Sequence, residues 1–312
     1  MSDRFQITLA QINPTVGDLQ GNARLAKEAW GQAKAAGSDL VAFPEMFITG
    51  YNAQDLVMKP AFQRAAIAEI EGLAQACKEG PALAIGGPWV EAGALFNAYF
   101  ILNDGRIVSV VEKHHLPNQS VFDEVRIFSS GEIAGPYSVG NTRIGSPICE
   151  DAWHPDVAET LQETGAEFLL VPNGSPYHRQ KSEERQNVMV ARVIETGLPL
   201  IYLNMVGGQD DQVFDGGSFV LNPGGALAVQ MPMFESALAH VVLIKQGSGW
   251  SAMQGALASL PSSLEADYHA MVSGLRDYCA KSGFPRVLLG LSGGVDSALV
   301  AAIAADALGA EN

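Results

Sequence analysis

The chain has 312 residues, of which 47% are hydrophobic, and its 19 Lys and Arg residues are outnumbered by 34 Asp and Glu residues. This length suits one large α/β domain followed by the beginning of a second. The formal net charge of −15 argues against nucleic acid as a partner, because a phosphate backbone would be repelled over most of the surface. No apolar run approaches the ~20 residues that a membrane span needs, so we expect no membrane partner either.

The three cysteines, Cys77, Cys149 and Cys279, are an odd number and lie far apart, so they do not form a disulfide framework. This usage is typical of a reducing compartment. The N-terminal residues enter a strand pattern directly, without the basic and apolar segments of a secretory signal. We therefore expect a cytoplasmic protein.

The hydrophobic pattern of the first hundred residues predicts a β-α-β-α opening followed by an antiparallel hairpin. The hairpin turns at Asp104-Gly105, a dipeptide typical of two-residue turns between strands. The predicted strands cover residues 5–12, 40–43, 82–85, 96–102 and 107–111, and the predicted helices cover residues 22–35 and 61–78.

The pattern continues with a second hairpin, whose returning strand leads into Cys149, and then with alternating helices and strands. Antiparallel strands finish this domain, two of them joined by the turn Asn222-Pro-Gly-Gly. The predicted strands cover residues 142–148, 168–171, 200–204, 218–221, 226–230 and 237–244, and the predicted helices cover residues 157–164 and 181–195.

Residues 246–263 are rich in Gly, Ser and Ala, lack a strong period and are predicted to be a linker. One strand and two helices follow, which are too few to close a hydrophobic core. We therefore predict a complete domain over residues 1–245 and the truncated start of another over residues 264–312. The elements predicted for the second domain are helices at 264–282 and 297–308 and a buried strand at 287–291.

Glu45, Lys113 and Cys149 each follow a predicted strand, where side chains of α/β proteins converge on a pocket. A thiolate can attack an amide carbonyl, and a nearby ammonium lowers the thiol pKa and stabilises the oxyanion that forms. A carboxylate can pass protons to the departing amine and from the hydrolytic water. The three residues therefore predict amide hydrolysis through a thioester. Cys77 and Cys279 are predicted to be packing residues, the usual role of a lone cysteine.

Five segments form a specific set around these residues: Phe-Pro-Glu-Met-Phe-Ile-Thr-Gly-Tyr, Leu-Pro-Asn-Gln-Ser-Val-Phe-Asp-Glu, Ile-Cys-Glu-Asp-Ala-Trp, Asn-Gly-Ser-Pro-Tyr-His and Val-Gly-Gly-Gln-Asp. They resemble the nitrilase superfamily, whose members carry a Glu-Lys-Cys triad on an α-β-β-α sandwich. The similarity extends over residues 5–244. Within the superfamily it is greatest to the glutamine-hydrolysing domains of glutamine-dependent NAD synthetases.

This resemblance implies a nitrilase-like α-β-β-α four-layer sandwich in which Cys149 is the nucleophile, Glu45 the general base and Lys113 the stabiliser of the oxyanion. It also implies that L-glutamine is bound by Tyr51, Gln119, Glu124, Trp153, Ser175 and Lys181, with Glu124 as the family's auxiliary carboxylate. The family usually has Tyr-Gly where this chain has Gln119-Ser120, and Tyr where it has Ile127. Gln119 can hydrogen-bond but has no aromatic face, so we expect altered glutamine binding with the chemistry retained.

A second motif, Gly290-Leu-Ser-Gly-Gly-Val-Asp-Ser297, lies between a predicted strand and a predicted helix, where backbone N–H groups bind anions. It lacks the Gly-Lys-Ser/Thr of a Walker A sequence and the spacing of a dinucleotide fingerprint. It resembles the pyrophosphatase loop of ATP-dependent adenylating enzymes, which implies a Rossmann-like adenine-nucleotide hydrolase domain. The resemblance implies that Ser292, Gly293, Gly294 and Ser297 hold the pyrophosphate of ATP and that Asp296 assists Mg²⁺.

Together the motifs imply that ammonia from glutamine attacks ATP-adenylated deamido-NAD, and that this chain supports only the glutaminase step. Other amidotransferases with the same ATP loop use an N-terminal Cys or a Cys-His-Glu triad, whereas this chain has Ser2 and no His-x-Glu sequence. Two alternatives stay open: a free-standing amidase acting on another small amide, and a noncatalytic oligomerisation scaffold. We expect a homo-oligomer, because nitrilase-like sandwiches commonly associate through their faces. The six histidines show no metal-ligand spacing.

Overall fold

The computed structural model describes residues 3–119, 121–247 and 249–312, so Ser2 and Ser120 lie outside the described residues. The strands are β1 (Arg4–Gln11), β2 (Leu40–Ala42), β3 (Ala82–Glu91), β4 (Ala94–Asn103), β5 (Arg106–Glu112), β6 (Tyr137–Val139), β7 (Thr142–Gly145), β8 (Phe168–Asn173), β9 (Leu200–Asn204), β10 (Val206–Gln209), β11 (Gln212–Asp215), β12 (Phe219–Leu221), β13 (Leu227–Gln230), β14 (Ala237–Gln246) and β15 (Gly249–Ala252). The α-helices are α1 (Leu19–Ala35), α2 (Pro60–Ala76), α3 (Glu124–Ile127), α4 (Pro155–Glu163), α5 (Lys181–Thr196), α6 (Ser263–Ser282) and α7 (Val295–Leu308), and the 3₁₀-helices are Gln54–Leu56 and Cys149–Trp153.

The strands form two large mixed sheets and one small hairpin. The first sheet has the order β15-β14-β1-β2-β3-β4-β5 and the second has the order β13-β12-β9-β8-β7-β6, while β10 and β11 form a separate two-stranded sheet. Strands β1, β2 and β3 are parallel, as are β7, β8 and β9. Because the carboxyl ends of parallel strands lie at the same edge of a sheet, the segments that follow them converge there.

The two large sheets pack face to face, and helices cover their outer faces. Between the sheets the ring of Phe5 on β1 lies 5.6 Å from that of Phe168 on β8. Helices α1 and α2 pack on the first sheet, where Trp30 and Ile70 share a core cluster. Helices α4 and α5 pack on the second sheet through residues such as Met189. The predicted four-layer α-β-β-α sandwich is confirmed.

The residues in the turns explain why the sequence predicts the hairpin between β4 and β5 but not the one between β3 and β4. Asp104 and Gly105 have φ angles of 50° and 79°, and this left-handed pair suits the two-residue turn between β4 and β5. Ala92 and Gly93 form an equivalent turn between β3 and β4, with φ angles of 49° and 85°. Alanine rarely adopts a positive φ, so this turn carries no sequence signal and β3 is longer than predicted.

The segment predicted to be a linker contains a strand. β15 pairs antiparallel with β14 at the edge of the first sheet, and Trp250 on it is buried. A strand of four residues in a Gly- and Ser-rich segment is too short for a period to reveal it. Residues 246–263 are therefore partly built into the first domain.

The predicted strand at residues 287–291 is wrong. Within the described parts of the chain no strand pairs with it, and Leu288 is fully exposed. A strand exists only where a neighbour accepts and donates its backbone hydrogen bonds, however apolar its side chains are.

Helix α6 lies against the sandwich and is joined to it by a pair of charged side chains one turn apart. Asp277 accepts hydrogen bonds from Asn13 Nδ2 at 2.9 Å and from the N–H of Gly208 at 2.7 Å. Lys281 Nζ donates to Asn13 Oδ1 at 2.7 Å and to the carbonyls of Pro14 and Gly208, each at 2.8 Å. These contacts connect α6 to the loop after β1 and to β10. No described helix is long and apolar enough to cross a membrane.

Candidate active site

A buried ion-pair cluster lies where β2 and β5 end. Lys113 Nζ is 2.6 Å from Glu45 Oε1 and 2.8 Å from Glu124 Oε2, and all three side chains are at most 1% exposed. Burial alone would lower the pKa of Lys113, but the charges of Glu124 and Glu45 outweigh it and hold the pKa well above its ordinary value. Lys113 is therefore a permanent cation in contact with two carboxyl groups.

The carboxylate of Glu45 is fixed at both oxygens. Oε1 also accepts from Asn97 Nδ2 at 2.8 Å, and Oε2 accepts from the N–H of Gly174 at 2.8 Å. Asn97 was not predicted to belong to the site, although an amide within the apolar strand β4 is a signal of a buried polar contact. Two neutral donors and one cation thus hold Glu45 in one orientation.

Cys149 lies at a strained position after β7. It begins the 3₁₀-helix Cys149–Trp153 with a φ of 47°, in the left-handed region that non-glycine residues avoid, and its side chain is buried. Asp151 holds this turn, because its Oδ2 accepts from the N–H of Ile148 at 2.9 Å. The other oxygen accepts from the N–H groups of His114 at 3.1 Å and His115 at 2.7 Å. Asp151 therefore joins the Cys149 turn to the segment that follows Lys113.

The electrostatics of Cys149 differ from those expected. Burial raises the pKa of the thiol well above its ordinary value, the charge of Glu45 raises it further, and the charge of Lys113 lowers it by less. Lys113 lowers the pKa of this thiol, as expected, but burial and the charge of Glu45 outweigh it, so the net shift is opposite to the one expected. A thiol whose pKa is raised becomes a good nucleophile only when a base takes its proton.

Tyr51 and Glu124 form the remaining wall of the cluster. The phenol of Tyr51 donates to Glu124 Oε1 at 2.9 Å. Burial raises the pKa of Tyr51 well above its ordinary value, and the charge of Glu124 raises it further, so the phenol stays protonated. Burial also raises the pKa of Glu124, and the ammonium of Lys113 opposes that shift. Glu124 thus receives hydrogen bonds rather than facing solvent.

A second buried ion pair supports Ser175. Arg185 on α5 forms two 2.8 Å hydrogen bonds with Asp215 at the end of β11 and donates to the carbonyl of Ser175 at 2.8 Å. The N–H of Ser175 donates to Asn204 Oδ1 at 3.0 Å. The Arg185–Asp215 ion pair was not predicted. Its signal in the sequence is that Arg185 lies on the face of α5 that carries the apolar residues. The ion pair thus holds Ser175 in place, and the N–H of the preceding residue, Gly174, binds Glu45.

Gln119 and Lys181, both predicted to bind the substrate, lie near each other. Both line a cavity of about 450 Å³. Lys181 Nζ lies 4.0 Å from the centroid of the Trp153 ring and 3.0 Å from Glu184, which places a cation and an aromatic face together. The cavity is lined by Gln119, Val121, Phe122, Pro176, Tyr177, His178, Lys181, Glu184, Asp211, Gln212 and Val213.

The glycine-rich motif forms an exposed turn before α7. Gly293 has a φ of 85°, and Gly294 precedes the first turn of the helix. Ser292 and Ser297 are joined through their hydroxyls at 3.0 Å, and Ser297 Oγ donates to the carbonyl of Gly294 at 3.0 Å. Asp296 lies in the first turn of α7 and is exposed. The predicted residues are thus together at a helix N-terminus, where free N–H groups suit an anion.

The sequence of the sandwich that carries these residues matches a known family. A family model described as carbon-nitrogen hydrolase matches residues 6–245. This chain belongs to the carbon-nitrogen hydrolase family. A second model, described as NAD synthase, matches residues 267–312 of this carbon-nitrogen hydrolase.

The curated relatives of this carbon-nitrogen hydrolase are longer proteins. A glutamine-dependent NAD(+) synthetase of Rhodobacter capsulatus is 59% identical over 312 residues, which cover 100% of this chain and 56% of the relative. A protein of the same name from Acinetobacter baylyi is 37% identical over 310 residues, covering 98% of this chain and 56% of the relative. The chain therefore spans about half the length of these relatives. The resemblance to glutamine-dependent NAD synthetases is confirmed.

Two solved structures show the same fold. A glutamine-dependent NAD+ synthetase from Acinetobacter baumannii, in complex with ADP, has a TM-score of 0.93 and 35% identity over 99% of this chain and 58% of its own. An amidase of the nitrilase superfamily from Nesterenkonia has a TM-score of 0.69 and 26% identity over 77% of this chain and 90% of its own. The nitrilase-like fold of this carbon-nitrogen hydrolase is confirmed.

Proposed function

We propose that this chain carries the glutamine-hydrolysing half of a glutamine-dependent NAD synthetase, with Glu45, Lys113 and Cys149 as its catalytic residues. The observation that carries the proposal is the buried contact of Lys113 with Glu45 and Glu124 beside Cys149. The 59% identity to a glutamine-dependent NAD(+) synthetase supports the choice of glutamine among amides.

The proposed chemistry begins with proton transfer from the Cys149 thiol to the Glu45 carboxylate. The thiolate attacks the side-chain amide carbon of glutamine, and the oxyanion is stabilised by the ammonium of Lys113. Glu45 returns the proton to the leaving nitrogen, so that ammonia departs and a thioester remains. Glu45 then removes a proton from water, which attacks the thioester and releases glutamate and the thiol.

Glutamine binding is assigned to residues that line the 450 Å³ cavity and to residues of the buried ion-pair cluster. The cation of Lys181 at this cavity suits the α-carboxylate of an amino acid, and Gln119 is near enough to the same cavity to hydrogen-bond the substrate. The remaining contacts are proposed for Tyr51, Glu124, Trp153 and Ser175.

The use of ammonia is proposed for the longer protein. The NAD synthase match over residues 267–312 supports ATP as co-substrate and deamido-NAD as the acceptor of the amino group. The loop Ser292, Gly293, Gly294 and Ser297 would hold the pyrophosphate of ATP. Mg²⁺ usually binds one or two carboxylates together with substrate phosphates, so the exposed carboxylate of Asp296 beside this loop fits it.

Ammonia release from glutamine tests the first step. We expect activity in the wild-type chain and a loss of at least about 100-fold in Glu45→Gln, with comparable or larger losses in Lys113→Met and Cys149→Ala. The 26% identity to an amidase favours, as a second candidate, hydrolysis of another small amide. Activity confined to a panel of aliphatic amides would contradict the glutaminase.

Covalent labelling separates both enzymes from a noncatalytic scaffold. A glutamine analogue with an electrophilic carbon in place of the amide should alkylate Cys149 and leave Cys77 and Cys279 unmodified. Peptide mass spectrometry reads out the labelled position, and an unlabelled Cys149 in folded protein would support the scaffold.

A further inference from the structure

Three of the six histidines lie in one cluster beside the catalytic loops. His114 and His115 follow Lys113, while His154 and Asp156 lie where α4 begins. The ligand atoms of His114, His115 and Asp156 all lie within 4.8 Å of one another. The sequence shows no metal-ligand spacing because these residues come from two segments 41 positions apart.

The ring of His114 is oriented as a metal ligand would be. Its Nδ1 lies 2.7 Å from the carbonyl oxygen of Gly131. A carbonyl oxygen only accepts, so Nδ1 carries the proton and Nε2 of the neutral ring keeps its lone pair. Metal-binding histidines are usually held by such a hydrogen bond from the other ring nitrogen.

His115 and Asp156 already face each other. His115 Nε2 lies 2.9 Å and 3.0 Å from the two carboxylate oxygens of Asp156, and its ring stacks on His154 at a centroid distance of 4.0 Å. A cation can take the place of the proton between this nitrogen and this carboxylate. The Asp156 side chain is 48% exposed, and its Oδ1 also accepts from the N–H of Val157 at 2.9 Å.

We propose that His114, His115 and Asp156 form a binding site for a divalent transition metal of the zinc type, with water as a further ligand. Two imidazoles and one carboxylate suit zinc, whereas Mg²⁺ and Ca²⁺ favour oxygen ligands throughout. Bonds of ~2.1 Å to a tetrahedral ion place ligand atoms ~3.4 Å apart, so ligand atoms that already lie within 4.8 Å of one another are close to the spacing that such an ion requires. The site is separate from the proposed nucleotide loop and does not depend on the proposed reaction.

Isothermal titration of the metal-free chain with Zn²⁺ tests the site. The Cys149→Ala background removes the reactive thiol as a competing ligand. We expect one ion per chain, with affinity at least about 10-fold weaker in His114→Gln and in Asp156→Asn, because even loss of a supporting group weakens metal sites on this scale. His269→Gln, which changes an exposed histidine on α6, should bind as the background does.

A Co²⁺ spectrum provides a second readout that does not depend on affinity. Visible bands of nitrogen and oxygen ligation should appear in the Cys149→Ala background and be lost in His115→Gln, with circular dichroism confirming that the variant is folded. The proposal is overturned if no saturable binding occurs, if the His114 and Asp156 variants bind as tightly as the background, or if excess Mg²⁺ displaces the ion.

Discussion

The ammonium of Lys113 lies 2.6 Å from the carboxylate of Glu45 in a space that water does not reach, with both side chains fully buried. Removing one partner of such a buried ion pair is strongly destabilising, because the other partner is left as an uncompensated buried charge. Glu124 adds a second carboxyl group at 2.8 Å, so removing the cation leaves two acidic groups facing each other.

Lys113→Met should abolish glutamine hydrolysis and lower the free energy of unfolding by about 3–5 kcal/mol. Urea unfolding followed by circular dichroism measures the change. Lys27→Met, which removes an exposed lysine of α1, is the matched control and should change stability by less than about 0.5 kcal/mol. Equal stability of the two variants would show that the Lys113 cluster is not held by the ion pair.

Because burial raises the pKa of Cys149 well above its ordinary value of 9.0, its alkylation by uncharged chloroacetamide should accelerate with pH. The thiolate fraction below the pKa increases tenfold per pH unit, so we expect no plateau between pH 6 and about pH 9. Mass spectrometry of the Cys149 peptide follows the reaction. A plateau near pH 7 would mean that Lys113 does make the thiol acidic.

Asp151 should make stability depend on pH. Burial raises its pKa from 3.8 to about 6, although hydrogen bonds from the N–H groups of His115 and Ile148 oppose the shift. Between these values the folded protein binds the proton more tightly than the unfolded chain, so the contribution of Asp151 falls as pH rises from about 4 to about 6.

Asp151→Asn cannot titrate and isolates this effect. The unfolding free energy of the wild type minus that of Asp151→Asn should decrease across the same pH range by about 3 kcal/mol at most. Denaturant titrations of both proteins at pH 4 and pH 6.5 give the difference. A difference that is constant or that increases with pH would contradict the raised pKa.

Gln119→Tyr should lower the KM for glutamine and leave kcat nearly unchanged. An aromatic ring at position 119 should stabilise bound glutamine by about 0.5–1.5 kcal/mol, which corresponds to roughly a 2- to 10-fold decrease in KM. Initial rates of ammonia release over a glutamine series measure both constants. An unchanged KM would mean that the side chain at this position does not contact glutamine.

Lys281→Met should destabilise the attachment of α6. The substitution leaves the oxygens of Asn13, Pro14 and Gly208 without their shared donor, at a cost of about 1–3 kcal/mol for a buried acceptor that stays unsatisfied. Hydrogen exchange of the α6 amides should increase relative to those of α1. Unchanged exchange in α6 would show that Asp277 holds the helix without the lysine.

The sequence predicted the elements whose apolar runs are long and end in turn residues. The strand at residues 200–204 is confirmed at its predicted ends, and the hairpin at Asp104-Gly105 forms as expected, because apolar runs and turn residues mark both of them in the local sequence. The placement of Glu45 and Lys113 after strands also followed from the pattern, although their contact comes from the way the sheet pairs strands distant in sequence.

The rest depends on partners that a single sequence does not reveal. Asp151 is a bridge between two loops, and the Arg185–Asp215 pair joins a helix to a hairpin, so neither role has a local signal. The pKa of Cys149 depends first on burial and then on the charges of Glu45 and Lys113, which are properties of the assembled cluster. Residues 287–291 have the composition of a strand, but no described neighbour pairs with them.

The hydrogen bonds of Asp277 and Lys281 to Gly208 on β10 affect how the carbon-nitrogen hydrolase domain can be excised. A cut at residue 245 follows the family match, but it would remove β15 and α6 together. The fragment would expose the edge of β14 to intermolecular strand pairing. It would also leave the N–H of Gly208 without its acceptor, and the oxygens of Asn13, Pro14 and Gly208 without the donor Lys281. A fragment that ends after Ser282 keeps both β15 and α6. The shortest fragment without these exposed groups therefore includes a helix that follows the hydrolase domain in the sequence.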